Sequence, residues 1–154
     1  MIEENSVAPD FTLPQDDGEA VTLSALRGNP VVLFFYPKDN TSGCTTEAID
    51  FTARLAEFDA LGCRVFGISK DSLKKHANFR SKHDLRVALL SDAETQVCED
   101  YGVWQEKKMY GKSFMGIVRT TVLIGADGAI LKVWPKVKVA GHAEAVLQAL
   151  RDLG

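Results

Sequence analysis

Cys44 lies in the stretch YPKDNTSGCTTEA, between a strongly apolar run ending at Tyr36 and a segment of helical period. A helix N-terminus leaves backbone N–H groups unpaired and carries the positive end of the helix dipole, so a sulfur placed there is favoured as thiolate over thiol. The thiolate is the nucleophilic form, and a rapid substitution by it also needs donors for the charge developing on the leaving atom. Thr41 and Arg119 are the candidates. Thr41 precedes Cys44 by three residues, and its hydroxyl either shares a site with the sulfur or caps the helix. Arg119 interrupts the apolar run IVRTTVLI, where a guanidinium either snorkels to the surface or enters a pocket. Pro37 ends the apolar run in either case, and in a functional site it would also keep water from the thiolate.

The elements that position these residues are set by period and punctuation. The chain has 154 residues, 45% hydrophobic and 25% charged, which suits one globular domain spanning 1–154. A net charge of -3 argues against nucleic acid or anionic lipid as a partner. The start MIEENSVAPDF lacks a signal pattern, and no apolar stretch approaches a membrane span, so the expectation is a cytoplasmic protein with no membrane partner. Three cysteines in a chain of this length fit a reducing compartment.

FTLPQDDGEAVTLSALRG reads as a hairpin around Asp17-Gly18, and VVLFFY, between Pro30 and Pro37, as a strand covered on both faces. Ala48, Phe51, Leu55 and Phe58 recur at helical spacing up to a stop at Gly62. CRVFGIS and VALL are further strands, separated by a helix over 72–83 bearing Leu73, Ala77 and Arg80 on one side. Ser91 and Glu94 form a capping box before a helix with Val97, Cys98 and Tyr101. The stretch 116–134 reads as an antiparallel hairpin about Ala126-Asp127-Gly128, and 142–153 as a closing helix with Val146, Leu150 and Leu153 inward. This order is an α/β, thioredoxin-like fold: a mixed central sheet flanked by helices, with an N-terminal β-hairpin extension. Sites in open α/β sheets collect beyond the C-terminal strand ends, where Cys44 falls.

Other chemistries fit less well. The residue three after Cys44 is Glu47, so there is no C-x-x-C couple. His76, His83 and His142 lack metal-site spacing and lie on charge-rich helices, which predicts surface histidines and no metal. No nucleotide fingerprint occurs, and no cofactor is expected. Trp104, Tyr110 and Phe114 either line a pocket or serve core and loop. Cys63 begins an apolar strand and reads as a small buried hydrophobe.

PKDNTSGC fits the P-x-x-x-T-x-x-C signature, and with VFGIS, LLSDAE, YGVW and YGKSFMGIVRTT in order the chain resembles the peroxiredoxins, specifically the bacterioferritin-comigratory or PrxQ subfamily, over nearly its whole length. The resemblance implies a thiol-dependent peroxidase acting on hydrogen peroxide and organic hydroperoxides. Cys44 would be its peroxidatic cysteine, activated by Thr41 and Arg119 and enclosed by Pro37. Attack by Cys44 on a peroxide oxygen would yield a sulfenic acid, with water or an alcohol leaving. Many members resemble it but carry a resolving cysteine five residues further on, at Ile49 here, or in the next helix, near Arg80; neither position holds one. Ser42 also replaces the proline common before the Gly-Cys pair.

Recycling then falls to an external thiol such as thioredoxin, glutaredoxin or glutathione, or to Cys98 as a candidate resolving cysteine 54 residues downstream. A monomer is the form the resemblance implies. A redox sensor or a holdase binding module on the same fold is the alternative function.

Overall fold

The computed structural model describes residues 2–16 and 19–153. The chain enters through β1 (Thr12–Pro14) and β2 (Ala20–Thr22), which pair antiparallel with Leu13 opposite Val21. The Asp17-Gly18 turn expected between them lies outside the described residues. After a 3₁₀ turn at Leu23–Leu26, β3 (Val31–Phe35) is buried at every position, as an apolar run flanked by covering layers must be.

That strand is the middle of a five-stranded sheet. On one side it pairs in parallel with β4 (Arg64–Ser69), which in turn pairs in parallel with β5 (Ala88–Ser91). On the other it pairs antiparallel with β8 (Thr120–Ile124), followed by β9 (Ile130–Trp134). The expected hairpin about Ala126–Gly128 therefore forms, and the sheet is mixed. Alternation along β3 divides the core. Leu33 and Phe35 face one cluster with Phe66, Cys98 and Tyr101; Val32 and Phe34 face the other with Cys44, Phe51, Phe79 and Val146. Phe34 stacks on Phe51 with ring centroids 4.6 Å apart.

Helices cover the second face. The single helix expected from Cys44 onward is two, α1 (Ser42–Ala53) and α2 (Leu55–Ala60), broken at Arg54. Arg54 is held there by Glu144 and the Asp50 carbonyl. Both pieces bury residues in the same cluster, so the apolar period continues across the break and hides it. α3 (Leu73–His83) is capped by Ser72, but its buried residues are His76 and Phe79, and Ala77 is exposed. Period counting scores histidine as polar and so misplaced this face.

The Ser91–Glu94 capping box does not form. Ser91 ends β5 and donates to the Asp71 carbonyl, and the following helix, α4 (Val97–Asp100), is one turn whose Val97 and Cys98 N–H groups donate to the Asp92 carboxylate. The closing helix, α5 (His142–Asp152), buries Val146 and Leu150, whereas Leu153 lies past its end and is exposed. Among the described residues no helix is long and apolar enough to cross a membrane.

A further hairpin, β6 (Trp104–Met109) with β7 (Lys112–Ile117), was not read from the sequence. Its turn is Tyr110-Gly111, both at positive φ, the conformation tight hairpins require. Its lysine-rich strands lack the apolar alternation that marks a half-buried strand. Tyr110 and Phe114 are exposed on it, while Trp104 packs against the core at its base.

His142 is buried rather than superficial, with Nε2 2.7 Å from the Thr121 hydroxyl. Burial, with Arg119 nearby, pushes its pKa down to about 4. The unfolded chain binds a proton that the folded one refuses between pH 6.5 and 4, so stability present above pH 6.5 is lost on acidification. Denaturant unfolding at pH 7.5 and 4.5 is expected to show a loss of up to about 3 kcal/mol that His142→Phe lacks.

Candidate active site

The sheet delivers Cys44 to its surroundings. The Tyr36 N–H still donates to the Ile68 carbonyl, extending the ladder by one bond, and Pro37, half-buried and without an N–H, ends it. The chain then crosses a short loop in which Asn40 takes a left-handed conformation (φ 63°) and enters α1 at Thr41. The Thr41 carbonyl accepts the Thr45 N–H, but its hydroxyl caps nothing: it donates to the Lys38 carbonyl at 2.8 Å. With that proton committed, the hydroxyl oxygen is left as an acceptor, able to take the O–H of a hydroperoxide.

Cys44 is the third residue of α1 and only 1% exposed. Arg119 reaches it from the far end of the chain. Because Phe35 pairs with Thr120, the residue before Thr120 stands beside the end of β3. Arg119 is therefore in the corner between β7 and β8 rather than inside a strand, and its side chain turns toward the thiol instead of snorkelling. Nη2 donates to Cys44 Sγ at 3.3 Å, and Nη1 to Glu47 Oε1 at 2.7 Å. A Cβ on Gly43 would stand 3.1 Å from Nη2, so the glycine gives the guanidinium its close approach to the helix start.

Glu47 was missed as a site residue. It sits one turn beyond Cys44 on the buried face of α1, a spacing that could have flagged it. Its Oε2 is buried with no hydrogen-bond partner among the described residues. Burial outweighs the attraction of Arg119 and pushes its pKa up to about 7. One guanidinium thus serves two potential anions, the carboxylate and the sulfur. Lys107, on β6, is close enough for both Arg119 and Cys44 to act on its charge.

The linkage sign for Glu47 is opposite to that for His142. The folded chain keeps a proton that the unfolded chain loses above pH 4.5, so stability falls as pH rises toward about 7. Urea unfolding from pH 5 to 8 is expected to show that fall, up to about 3 kcal/mol, and Glu47→Gln to flatten it.

The other thiols are elsewhere. Cys63 precedes Arg64, which pairs with Val31 at the opposite end of β3. Five strand residues separate it from the Cys44 end, on the order of 16 Å. Burial pushes its pKa up to about 12. Cys98 belongs to the core cluster on the other face of the sheet, and burial together with Asp92 raises its pKa strongly. His76, expected at the surface, is wholly buried, as an imidazole can be when both nitrogens find partners.

A mixed thioredoxin-like sheet with a cysteine at the first helix and a guanidinium on its sulfur defines a thiol-chemistry protein. Residues 5–133 match the AhpC/TSA family. The chain is 47% identical over 151 residues to peroxiredoxin Bcp of Xanthomonas campestris, covering 98% of this chain and 94% of that one. It is 47% identical over 152 residues to peroxiredoxin Bcp of Bacillus subtilis, covering 99% and 97%.

Among solved structures, the X. campestris bacterioferritin comigratory protein, studied for alkyl peroxide reduction in trapped intermediate and ligand complexes, aligns with a TM-score of 0.90 at 44% identity over 97% of this chain and 98% of that one. A mutant of Xylella fastidiosa PrxQ aligns at 0.93 and 36% identity, covering 99% and 97%. This chain belongs to the AhpC/TSA family, and within it to the peroxiredoxins of the Bcp/PrxQ kind.

Proposed function

We propose that Cys44 is the peroxidatic nucleophile of this thiol-dependent peroxidase and that Arg119 is its principal activator. The observation that carries the reading is the Arg119 Nη2 donor 3.3 Å from Sγ, which offsets negative charge on sulfur before reaction and reaches toward the oxygen that receives it during reaction. The thiolate attacks the terminal oxygen of the peroxide in line. The S–O bond forms as the O–O bond breaks, sulfur is oxidised to a sulfenic acid that keeps the peroxide proton, and the leaving oxygen takes a proton from solvent, replacing the one lost when the thiol ionised, and departs as water or alcohol. Thr41 accepts the peroxide O–H, Glu47 orients the guanidinium fork through its 2.7 Å contact, and Pro37 limits water at the mouth.

Regeneration uses an external thiol. It attacks the sulfenic sulfur to give a mixed disulfide and water, and a second thiol releases Cys44. The positions of Cys63 and Cys98 favour this one-cysteine route, since a disulfide needs Cα atoms within about 7 Å. Thioredoxin, glutaredoxin and glutathione are the reductant classes proposed, with both hydrogen peroxide and organic hydroperoxides as substrates. The alkyl peroxide reduction described for the X. campestris relative supports the organic substrates. A cytoplasmic monomer is the proposed form.

Purified protein supplied with hydrogen peroxide or cumene hydroperoxide and each thiol in turn tests the whole reading. Sustained consumption with at least one donor is expected. Oxidation of Cys44 once per chain without turnover, whatever the donor, would make the protein a sensor instead.

A further inference from the structure

A second cluster of buried charge lies behind the loop that leads into α1. His76 is 0% exposed, with Nδ1 2.6 Å from Asp39 Oδ2 and Nε2 3.0 Å from the Leu90 carbonyl. A carbonyl only accepts, so Nε2 carries a proton, and the carboxylate draws a second onto Nδ1. With Asp39 ionised, both ring nitrogens donate and the ring is an imidazolium. Burial opposes that charge, but Asp39, the Leu90 carbonyl and Asp71 outweigh it and leave the pKa raised. Asp39, Asp71 and His76 stand close enough together to suggest a cation site, yet the ring presents hydrogens rather than lone pairs to its neighbours.

Asp39 is the middle residue of the loop, and its N–H and both carboxylate oxygens are held. Its Oδ1 accepts from the Tyr36 hydroxyl at 2.7 Å, and its N–H donates to Asp71 Oδ2 at 2.8 Å, which also accepts from Ser69. The anchors come from the ends of β3 and β4 and from α3, three rigid elements. Asn40 then turns the chain, Thr41 begins the helix, and Cys44 comes next on the buried side. Nothing in the peroxide chemistry as described uses His76.

We propose that His76 is a positioning residue for the Cys44 reaction: its imidazolium holds Asp39, and through it the 37–41 loop, at the setting that presents the sulfur to Arg119. This rests on the peroxidase reading above. The charged and titratable groups facing the ring are Asp39 on the loop, Asp71 after β4 and Tyr36 after β3. β5 contributes only a carbonyl. The anchoring by charge is fully present below pH 6.5 and is lost as pH rises through the raised folded value.

The test uses the full chain as wild type, His76→Gln and Asp39→Asn. Cys44 oxidation by hydrogen peroxide is followed by stopped flow from pH 6 to 10, and amide exchange is followed over 37–46. Glutamine can serve only one of the two partners, and asparagine keeps an acceptor for Tyr36 but no charge. The expected result is a rate lowered about tenfold or more in each folded variant, because small displacements of reacting groups are costly. An alkaline decline present in wild type should be missing from both variants, and exchange should rise in 37–46 while β3 and β4 stay protected.

A rate within about twofold of wild type, or a wild-type profile without that decline, overturns the proposal. Should His76→Gln not fold, Asp39→Asn decides by the same measurements. If wild-type Cys44 is not oxidised by peroxide, the peroxidase reading fails on its own, and unchanged exchange in 37–46 of the variants would still overturn the anchor.

Discussion

Cys44→Ser is expected to lower peroxide consumption by at least about 10³-fold, while Cys98→Ser and Cys63→Ser stay within about twofold of wild type. The asymmetry comes from environment rather than from composition. Cys44 stands at a helix start with a guanidinium on its sulfur. Cys63, pushed up to about 12, is ionised at pH 7.5 to a fraction on the order of 10⁻⁴ to 10⁻⁵. Cys98 is shifted in the same direction, by burial and by the nearby Asp92 carboxylate, which repels a thiolate. It also lies on the far face of the sheet, so pairing with Cys44 would require part of the fold to come apart.

The measurements are steady-state consumption of hydrogen peroxide and peptide mapping after oxidation in the presence of dimedone. A dimedone adduct on Cys44 is expected. A product two hydrogens lighter that joins the Cys44 and Cys98 peptides would instead reject one-cysteine recycling.

Arg119→Met is expected to slow oxidation of Cys44 by about 10² to 10³, or roughly 3 to 4 kcal/mol, the loss typical when one preorganised donor to a developing anion is removed. The side chain makes both of its site contacts through one planar fork, Nη1 to Glu47 and Nη2 to Sγ. A lysine is a point charge and cannot make both at once, so Arg119→Lys should recover only part of the rate.

Stability should move less than rate. Methionine fills much of the same space, and Glu47, already inclined to hold a proton, becomes neutral when its partner is gone. Stopped-flow oxidation with hydrogen peroxide gives the rate, and denaturant unfolding gives the control. The kcat/KM for the reducing thiol should be unchanged, since the guanidinium acts before that thiol arrives. An Arg119→Met rate equal to wild type would remove the guanidinium from the mechanism.

Much of the site's location was legible in the chain itself. A short apolar run between two prolines reads as a covered strand, and the loop leaving it in an α/β order emerges at the C-terminal sheet edge. Thr41 was legible in position but not in role, because the direction of a hydroxyl proton depends on which carbonyl the loop brings to it. His76 and His142 were misread for a related reason. A buried imidazole and an exposed one leave the same mark in a helical pattern, and only a facing carboxylate, hydroxyl or carbonyl separates them.

Residue order alone specified the strand that carries the loop, the thiol at the head of the next helix, the antiparallel return about Ala126–Gly128 and the family signature. Each is local, written in hydrophobic period, proline placement or turn chemistry over a dozen residues or fewer. Pairing across the sheet settled which groups meet the sulfur. Arg119 arrives because β8 lies beside β3 in one register, and Cys98 is kept away because α4 packs on the opposite face of the sheet. The Glu47 carboxylate is left half satisfied and His76 is buried against Asp39 beneath the loop for the same kind of reason. Burial and partner distance set these states, and both come from elements far apart in the chain whose pairing no local pattern encodes.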